Sequence, residues 1–429
     1  MYKTRAIEKT LKKCSKQFAC ITLYGSRQVG KSTVINHLFP EKFESITMDD
    51  IELRGRAKDN PRIFMENYEL PIIIDEIQKA PELLEEIKII IDKNKKEWMN
   101  NNKKSRLLFV LTGSNQFELQ EKINESLAGR TAILNLSSFS FAELANYNSF
   151  SFFSPSIDDL KNKEKKKLNK YRTRKQIFED IYKGGMPEYI TNNIDRNLFF
   201  SSYISTYLEK DVKKVIAADN EATFLKFMQY LSLRTGCQIE LSSISRDIGI
   251  DARTIKKWLS ILETSQIIYI LEPYMKNISN RLTKTSKMYF MDTGLCSYLG
   301  KWPSAEILEN GPLAGNFYET YVISEIIKSY INYGINPKIN DSYGLYYYRD
   351  KDQKEVDLII EHNNEIYPIE IKKGINPINN NKSFAFLDKF NKKINDVLII
   401  DSTEKLTKIN DNLYYCPISL IGIWNKRWF

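Results

Sequence analysis

A glycine-rich motif near the start of the chain has the residue types and the spacing of a phosphate-binding loop. The pattern Gly-x-x-x-x-Gly-Lys-Ser follows a run of apolar residues and precedes a helical pattern, which is the context this motif requires. Its backbone N–H groups and the positive helix end can face nucleotide phosphates, with Lys31 on the β- and γ-phosphates and the Ser32 hydroxyl on magnesium. The predicted nucleotide-binding residues are Gly25, Ser26, Arg27, Gln28, Val29, Gly30, Lys31, Ser32 and Thr33.

Two adjacent carboxylates, Asp75 and Glu76, follow the apolar run at residues 70–74. At the end of a buried strand, Asp75 would lie near the metal, and Glu76 could polarise the water that attacks the terminal phosphate. Acidic residues at a strand end are also common as solvated caps. Downstream of a phosphate loop, however, the pair predicts hydrolysis of ATP and not binding alone.

Three further residues extend this candidate site, each with two interpretations. Thr112 and Ser114 follow the apolar run at 107–111, where they could sense the γ-phosphate or cap a strand-to-helix turn. Arg130 could reach a nucleotide in a neighbouring subunit or be an ordinary surface arginine. With Lys31, Asp75 and Glu76, Arg130 completes the catalytic candidates of the N-terminal part.

A second set of polar residues lies near the other end of the chain. Glu370 and Lys372 are two residues apart in a strand-like segment, so they project from the same face. Asp357 and Glu370 could jointly bind magnesium, and Glu319 in a helix could complete the metal shell. Lys372 could then orient or help deprotonate a water that attacks a phosphodiester. Since exposed Asp, Glu and Lys are common on strands, a module that binds without cutting remains the alternative.

The elements that must position the first site follow an α/β pattern. Up to about residue 150, short apolar runs alternate with polar helical stretches, which favours a mostly parallel sheet. The runs are continuous rather than alternating, as in strands that are buried on both faces. The predicted strands cover 18–24, 43–48, 70–74 and 107–111, and the predicted helices include 31–38 and 81–93.

Length and composition limit the classes of protein to consider. At 429 residues the chain exceeds what one core usually supports, and we expect at least three domains. The five cysteines are scattered and never form a Cys-x-x-Cys pair, which argues against a disulfide frame or a zinc site. Because no segment approaches the roughly 20 apolar residues of a membrane span, we expect a cytoplasmic protein. The net charge of +9 permits nucleic-acid binding without demonstrating it.

A basic segment at 161–175 holds nine Lys or Arg residues and one acid. It fits a solvated helix or loop insertion, or else a nucleic-acid contact. The stretch that follows, 176–220, has a helical pattern interrupted at Gly184-Gly185-Met186-Pro187. This break predicts a small helical lid that is separate from the core.

The middle of the chain has the pattern of a helix, a glycine-containing turn and a second helix at 240–259, and strand-like segments at 266–271 and 287–291 would form a wing. On the second helix the apolar residues share one face and the basic residues lie outside it: Ile255, Trp258, Leu259 and Leu262 against Arg253, Lys256 and Lys257. A winged helix serves either DNA binding or protein contact. Four polar residues at the expected wing tip favour DNA, although such residues are also ordinary in loops: Asn277, Arg281, Lys284 and Lys287.

Taken together, these motifs resemble the AAA-type ATPases of archaea and bacteria that are related to the signal-transduction NTPase group. The resemblance rests on the segments 25–32, 72–76, 111–114, 126–130 and 184–188. It implies that the glycine-proline element sits near the nucleotide at the lid, which implicates Pro187. It also implies a winged helix and a C-terminal domain with a restriction-nuclease-like core. Nucleases of that type carry an Asp followed by a Glu-x-Lys pattern, and Asp357, Glu370 and Lys372 resemble it.

The sequence therefore predicts an α/β P-loop ATPase core at 1–150, a helical lid with a basic insertion at 151–220, a winged helix at 221–300 and a small α/β restriction-endonuclease-like domain at 301–429. ATP and Mg²⁺ are the expected cofactors. The expected function is a magnesium-dependent ATPase cycle coupled to nucleic-acid binding or cleavage. The alternative is a signalling or regulatory switch with a non-cleaving module that binds protein or DNA, and a second copy of the chain is a further candidate partner.

Overall fold

The apolar runs of the N-terminal part form a parallel sheet in this computed structural model. Its strands are β1 (Cys20–Tyr24), β2 (Glu44–Thr47), β3 (Ile72–Asp75), β4 (Phe109–Gly113) and β5 (Thr131–Asn135), in the order β2-β3-β4-β1-β5. All residues of β1 and β4 are buried, as in strands covered on both faces. The structure describes residues 2–39, 43–113, 122, 123, 125–147, 150–165, 171–208, 212, 220–275, 285–338, 343–374 and 384–422.

Short helices cover this sheet: α1 (Glu8–Cys14), α2 (Lys31–Leu38), α3 (Ile51–Asp59), α4 (Pro61–Glu66), α5 (Leu83–Asn100) and α6 (Phe141–Leu144). The α/β class, the four predicted strands and the helix at 31–38 are confirmed. The strand β5 was not predicted, because its five residues include only three apolar ones and Ile133 is exposed. Helix α5 runs seven residues beyond its predicted end at 93, over a mostly polar stretch in which Trp98 is the one buried residue.

The strand order explains how the first site is assembled. Strand β4 lies between β1, which leads into the glycine-rich loop, and β3, which ends at Asp75. In the parallel register Thr112 lies opposite Leu23 of β1. Because the carboxyl ends of parallel strands meet at one edge of the sheet, the loop, Asp75 and Thr112 come together there.

Helices and a two-stranded ribbon form the middle of the chain: α7 (Ile157–Lys165), α8 (Arg174–Lys183), α9 (Pro187–Asn192), α10 (Arg196–Tyr207), α11 (Glu221–Ser232), α12 (Leu241–Ile248), α13 (Ala252–Thr264), β6 (Ile268–Leu271) and β7 (Lys287–Phe290). Helix α12 ends at Gly249, whose φ of +82° suits glycine. On α13, Ile255 and Trp258 are buried while Lys256 and Lys257 are exposed, as their spacing predicts. The polar residues 277, 281 and 284 of the expected wing tip lie outside the described residues.

The C-terminal part combines helices with a mixed sheet: α14 (Thr293–Leu299), α15 (Ala305–Asn310), α16 (Ala314–Asn332), β8 (Tyr343–Arg349), β9 (Glu355–His362), β10 (Glu365–Ile371), β11 (Lys393–Ile394), β12 (Val397–Asp401), β13 (Thr407–Asn410) and β14 (Leu413–Pro417). The sheet order is β13-β14-β12-β10-β9-β8, and β11 pairs with β10. Helix α16 is buried along most of its 19 residues, including the charged Glu325 and Lys328.

The middle and C-terminal parts share one hydrophobic core, which extends from Phe141 to Ile421. The segment before α7 packs on the C-terminal part through hydrogen bonds from Ser151 N–H to Gly422 O and from Phe153 N–H to the Ser329 hydroxyl. Helix α7 adds a third, because Glu164 accepts the N–H of Leu406. The basic segment 161–175 therefore begins on a helix that is docked against the C-terminal sheet. The domain limits drawn from the sequence stay a prediction.

Among the described helices, none has the length and apolar character needed to cross a membrane.

Candidate functional site

The glycine-rich loop adopts a backbone that needs its glycines. A Cβ atom on Gly25 would lie 2.3 Å from the carbonyl oxygen of Leu136, so only glycine fits there. Gly30 has a φ of +87°, in the left-handed region that favours glycine, and it directly precedes α2. The remaining loop residues differ in exposure: Val29 and Ser26 are buried, Arg27 is half-buried, and Gln28 and Thr33 are exposed.

Lys31 is the buried cation of this loop. It is only 7% exposed, and its Nζ donates to the carbonyl oxygens of Gly25 and Ser26, both at 3.1 Å. An ammonium group at this position lies beside the backbone N–H groups that open α2. The loop thus concentrates positive charge where the motif places nucleotide phosphates.

Asp75 connects the loop to the neighbouring strand. The Ser32 hydroxyl donates to Asp75 Oδ2 at 2.9 Å, and the Thr112 hydroxyl donates to Oδ1 of the same carboxylate. A serine hydroxyl beside a carboxylate offers oxygen donors of the kind that Mg²⁺ takes, with nucleotide phosphates and water supplying the rest. The residues present therefore fit a divalent ion at this position. Ser114, the other γ-phosphate candidate, lies outside the described residues.

Glu76 follows the strand end in an unusual backbone conformation. Its φ is +54°, which is rare for a residue with a side chain, and it accepts a hydrogen bond from the side chain of Gln78. Residues held in the left-handed region cluster at functional sites, where the surrounding structure maintains them. This backbone conformation turns the chain away from the sheet directly after Asp75. The carboxylates of Asp75 and Glu76 therefore both lie at the end of β3.

The sequence did not reveal a buried ion pair, Arg5 with Glu143, that contacts the backbone of the glycine-rich loop. Arg5, 3% exposed, donates to the carbonyl oxygens of Val29 at 2.7 Å and Ser137 at 2.6 Å, and to the Glu143 carboxylate at 2.9 Å. Glu143 also accepts from the backbone N–H of Ser140, forming the capping box of α6. The Ser-x-x-Glu spacing could have identified the cap, but no local signal points to Arg5, 138 residues away.

Arg130 has a partner within its own chain. Its guanidinium group donates two parallel hydrogen bonds to Asp92 on α5, both of 2.8 Å, and a third to the carbonyl oxygen of Ala128. This fork-to-carboxylate geometry fixes the side chain against α5. The role of Arg130 toward a neighbouring subunit stays a prediction.

The glycine-proline element packs against the turn that opens α14. Gly185 donates its N–H to Asp292 at 2.9 Å, and its carbonyl oxygen accepts from Phe139 N–H at 2.7 Å. A Cβ on Gly184 would lie 2.4 Å from an Asp292 oxygen and 2.6 Å from Gly294 N. The element therefore joins Phe139, four residues after β5, to the Asp-Thr-Gly turn at 292–294. Pro187 opens α9, and its link to the nucleotide stays a prediction.

The structure brings three of the four C-terminal candidates together. The antiparallel pairing of β9 and β10, which joins Leu358 to Ile369, continues toward Asp357 and Glu370. The Lys372 ammonium group lies 2.9 Å from Glu370 and 3.7 Å from Asp357. In addition, Asp357 accepts the backbone N–H of Ile371 at 2.7 Å. Within the described ranges, no three His, Cys, Asp or Glu side chains are grouped so that they could hold a metal ion.

The fourth candidate, Glu319, is turned toward the ribbon. Its carboxylate accepts from Tyr289 at 2.6 Å and from Lys287 at 3.1 Å. Lys287 also lies 2.6 Å from Glu355 and is 4% exposed. The prediction that Lys287 contributes to a DNA-contacting wing tip is therefore wrong, because two carboxylates of the C-terminal part hold this ammonium group in the interior.

The acidic residues of this cluster influence each other's ionisation. Burial raises the pKa of Asp357 to about 7, and the negative charges of Glu319 and Glu370 add to the rise. The ammonium groups of Lys372 and Lys287 oppose it. For Lys372, burial lowers the pKa, but the Asp357 and Glu370 charges raise it by more, so this lysine stays protonated. Asp357 is thus the group whose charge changes near neutral pH.

Comparisons with known families divide the chain into three matched segments. Residues 17–145 match the model of an AAA domain. Residues 174–306 and 314–421 match two domains of unknown function, DUF8612 and DUF4143. Uncharacterized proteins of Mycobacterium bovis and Mycobacterium tuberculosis are each 24% identical to this chain over 360 residues, covering 83% of this chain and 71% of theirs.

Among solved structures, a Walker-type ATPase of Pyrococcus abyssi is 14% identical, with a TM-score of 0.42, over 70% of this chain and 96% of that chain. A signal-transduction ATPase with a tetratricopeptide-repeat sensor from Pyrococcus horikoshii is 12% identical, with a TM-score of 0.23, over 79% of this chain and 49% of that chain. The family match and the loop motif together assign residues 17–145 to the AAA-type P-loop ATPase domains.

Proposed function

We propose that this protein hydrolyses ATP at the site formed by the glycine-rich loop, Asp75 and Glu76. The observation that carries the proposal is that Ser32 and Thr112 both donate to the Asp75 carboxylate beside the buried Lys31. Ser32 and Asp75 would hold Mg²⁺, which would supply positive charge to the β- and γ-phosphates. Lys31 exchanges its two loop carbonyl oxygens for phosphate oxygens, and Glu76 accepts a proton from the attacking water.

Two substitutions separate the roles of Lys31 and Glu76. We expect Lys31→Ala to lower ATP turnover by about a hundredfold or more, because it removes the positive charge from the transferring phosphate. We expect Glu76→Gln to keep ATP binding but to lose hydrolysis, because the amide cannot accept the proton. Lys12→Ala and Glu82→Gln, both at exposed positions, are the matched controls. Wild-type turnover in Lys31→Ala contradicts the proposal, and wild-type turnover in Glu76→Gln leaves Glu76 as a strand cap.

We further propose that nucleotide state is transmitted to the C-terminal part through α6. Arg5 joins the loop at Val29 to Glu143 on α6, as described above. At the start of the same helix, Phe141 N–H donates to the buried Glu325 carboxylate of α16 at 2.6 Å. These contacts form a continuous path of buried polar groups from the phosphate loop to the longest helix of the C-terminal part, which supports coupling between the two.

A neighbouring lysine strengthens the second half of this path. Lys328, also on α16, donates to Glu325 at 3.0 Å and to the carbonyl oxygen of Phe139 at 3.1 Å. Burial raises the pKa of Glu325, and the Lys328 charge opposes the rise. Glu325 and Lys328 thus form hydrogen bonds to the backbone at residues 141 and 139. A small shift of α6 would break these bonds and leave buried charges without partners, which is costly, so the pair is expected to move with α6.

The activity that we propose for the middle and C-terminal parts is binding of nucleic acid, with cleavage as a second candidate. Binding is supported by the exposed Lys256 and Lys257 on α13. Cleavage is supported by the Lys372 ammonium group, which contacts both Glu370 and Asp357. A regulatory switch that binds nucleic acid or protein without cutting would use the same nucleotide cycle and the same α16 path.

The test is to incubate the full chain with DNA and Mg²⁺, with and without ATP, and to measure both binding and cleavage. We expect DNA affinity to fall steeply with salt and to change with nucleotide. If the chain cleaves DNA, Asp357→Ala should abolish cleavage without a comparable loss of binding, while the exposed control Asp352→Ala retains it. Binding without cleavage under every nucleotide condition supports the regulatory switch, and absence of binding contradicts the nucleic-acid proposal.

A further inference from the structure

Lys287 of the ribbon reaches the carboxylates of the C-terminal part from a different part of the chain. It is the first residue of β7, and its ammonium group lies 3.1 Å from Glu319 of α16 and 2.6 Å from Glu355 of β9. The side chain is buried, so these contacts are made in the interior. Lys287 is therefore a cation that the chain itself supplies to two carboxylates.

Glu355, which the sequence did not single out, lies on the same face of the sheet as the nuclease-like candidates. It is two residues from Asp357 on β9, so the two side chains share a face. The antiparallel pairing of Leu358 with Ile369, continued by one residue, sets Asp357 opposite Glu370. Four carboxylates thus form one acidic cluster: Glu319, Glu355, Asp357 and Glu370.

The carboxylates of the acidic cluster are held by lysine ammonium groups. Lys372 lies 2.9 Å from Glu370 and 3.7 Å from Asp357, and Lys287 binds the other two carboxylates. A divalent ion needs several oxygens that converge on one point at about 2.0–2.6 Å. Among the residues that the structure describes, no three side chains of the ligating types are arranged in that way. The arrangement in this structure therefore does not fit a metal ion.

The two lysines have different positions relative to the cluster. Lys372 belongs to the Glu-x-Lys pair, so its place beside Glu370 follows from the strand, and its side chain is 46% exposed. Lys287 comes from the middle of the chain, and its side chain is 5% exposed. Lys372 can turn toward solvent without moving the backbone, whereas an enclosed Lys287 cannot leave the cluster unless the ribbon or its surroundings shift.

The ribbon is docked on the C-terminal sheet beside the cluster. Just after β6, Tyr274 N–H donates to the carbonyl oxygen of Tyr347 on β8 at 2.6 Å, and Tyr347 N–H donates to that of Glu272 at 3.1 Å. The Tyr347 ring lies 5.5 Å from the Lys287 ammonium group. Tyr289, on the same strand as Lys287, donates its hydroxyl to Glu319 at 2.6 Å. These contacts keep Lys287 at the acidic cluster.

A divalent ion that entered the cluster would compete with this lysine. It would need carboxylate oxygens that Lys287 already binds, and it would lie beside a like charge in the interior, where repulsion is much stronger than in water. We propose that Lys287 occupies the acidic cluster as an internal cation and excludes divalent ions from it while the ribbon is docked. This is an autoinhibitory contact on the site for which cleavage was proposed above, and its regulatory meaning rests on that proposal.

The experiment measures binding of metal ions to the full chain without nucleotide or DNA. Tb³⁺ is followed by luminescence excited through tyrosine, for which Tyr289 beside Glu319 is well placed, and Mn²⁺ by calorimetry. We expect Lys287→Gln to bind both ions at least about tenfold more tightly than wild type, because the repelling charge is gone. The Gln amide still donates hydrogen bonds to carboxylates, which helps to preserve the fold. The phosphate loop is the same in both proteins and cancels in the comparison.

Three further variants assign the effect to the cluster. Adding Glu319→Gln to Lys287→Gln should remove the gain, and Lys287→Arg, which keeps the charge, should not show it. The matched control is Lys163→Gln. Lys163 is also an enclosed lysine, paired with Asp159 at 3.0 Å, but its removal leaves a single carboxylate and should create no site for a divalent ion. Denaturation midpoints verify that each variant is folded under the assay conditions.

Each outcome decides the proposal. A gain in Lys287→Gln that Glu319→Gln abolishes supports it. Equal binding by wild type and Lys287→Gln that Glu319→Gln abolishes overturns it, because the lysine then excludes nothing. Absence of binding by folded Lys287→Gln overturns it as well, and an equal gain in Lys163→Gln assigns the effect to a loosened structure. Since neither DNA nor ATP is present, a failure to bind or cleave DNA contradicts the proposed function and leaves this contact standing.

Discussion

Lys287 of the ribbon places its ammonium group 3.1 Å from the Glu319 carboxylate of α16. The same group lies 2.6 Å from Glu355 at the start of β9. Burial disfavours the charged lysine, but the charges of Glu319 and Glu355 raise its pKa by more, so it stays protonated. One buried cation thus joins the middle of the chain to the helix and the sheet of the C-terminal part.

The first prediction concerns this cation. Lys287→Met should destabilise the protein by about 1–3 kcal/mol, because it takes the buried counterion away from the half-buried carboxylates of Glu319 and Glu355. Chemical denaturation measures the effect, with Lys256→Met as the exposed control. Adding Glu319→Gln and Glu355→Gln to Lys287→Met should recover part of the loss, since no unpaired charge then remains. A loss below about 1 kcal/mol in Lys287→Met would show that the pair carries little net stability.

The parts of the fold that local pattern determines could be predicted from the sequence. Strand β1 and helix α2 flank a motif in which glycine is required at fixed positions for steric reasons. The presence of a strand before the motif and a helix after it therefore follows from a few residues. Likewise, Glu370 and Lys372 had to share a face because side chains alternate along a strand. The convergence of Lys372 with Asp357 needed only one further fact, that β9 and β10 form an antiparallel pair.

The parts that depend on distant partners could not be predicted. Arg5 supports the phosphate loop through Glu143, and no periodicity reveals a contact between residues so far apart. Lys287 was placed at a surface tip because it is a lysine next to a polar loop, yet its carboxylate partners come from α16 and β9. Long-range pairing of buried charges leaves no local pattern in the sequence, so only the folded structure reveals it.

The second prediction concerns Arg130. Its two 2.8 Å hydrogen bonds to Asp92 occupy the guanidinium group within its own chain. We expect Arg130→Ala and Asp92→Ala to lower stability equally, by less than about 1 kcal/mol, because both side chains are partly exposed. We also expect ATP turnover per molecule to be independent of protein concentration in both variants and in the wild type. Turnover that rises with concentration and falls only in Arg130→Ala would instead assign Arg130 to a neighbour's nucleotide.

The third prediction is a pH dependence from Asp357, whose pKa burial raises to about 7. In the unfolded chain an aspartate titrates near 3.9, so between about pH 4 and 7 the folded state binds more protons than the unfolded state. The contribution of Asp357 to stability is therefore greatest below about pH 4 and is lost as pH rises through about 7. Asp357→Asn removes this dependence.

The measurement is the difference in unfolding free energy between wild type and Asp357→Asn at pH 5 and at pH 8. We expect the wild type to lose stability relative to the variant between these two values. Asp180 and Asp401 also have pKa values raised to about 6 by burial, but they are present in both proteins and cancel in the difference. A difference that is constant with pH would mean that Asp357 ionises normally in the folded protein.

The last prediction compares two glycines that share a positive φ but differ in their surroundings. Gly129 has a φ of +70°, and Gly184 has a φ of +71° with a ψ of −161°, a combination that is essentially restricted to glycine, so replacement of either by alanine strains the backbone. A Cβ on Gly129 would meet no atom within 4 Å, whereas a Cβ on Gly184 would lie 2.4 Å from Asp292 and 2.6 Å from Gly294 N. We expect Gly184→Ala to destabilise the protein by about 1–3 kcal/mol more than Gly129→Ala, because the crowded turn must shift. We also expect Gly184→Ala, and not Gly129→Ala, to change ATP turnover. The displaced turn would shift Gly185 through its hydrogen bond to Asp292, and Gly185 in turn is hydrogen-bonded to Phe139. Denaturation midpoints and turnover of the two variants decide the matter, and equal effects would mean that this contact between the glycine-proline element and the Asp-Thr-Gly turn is not required for either property.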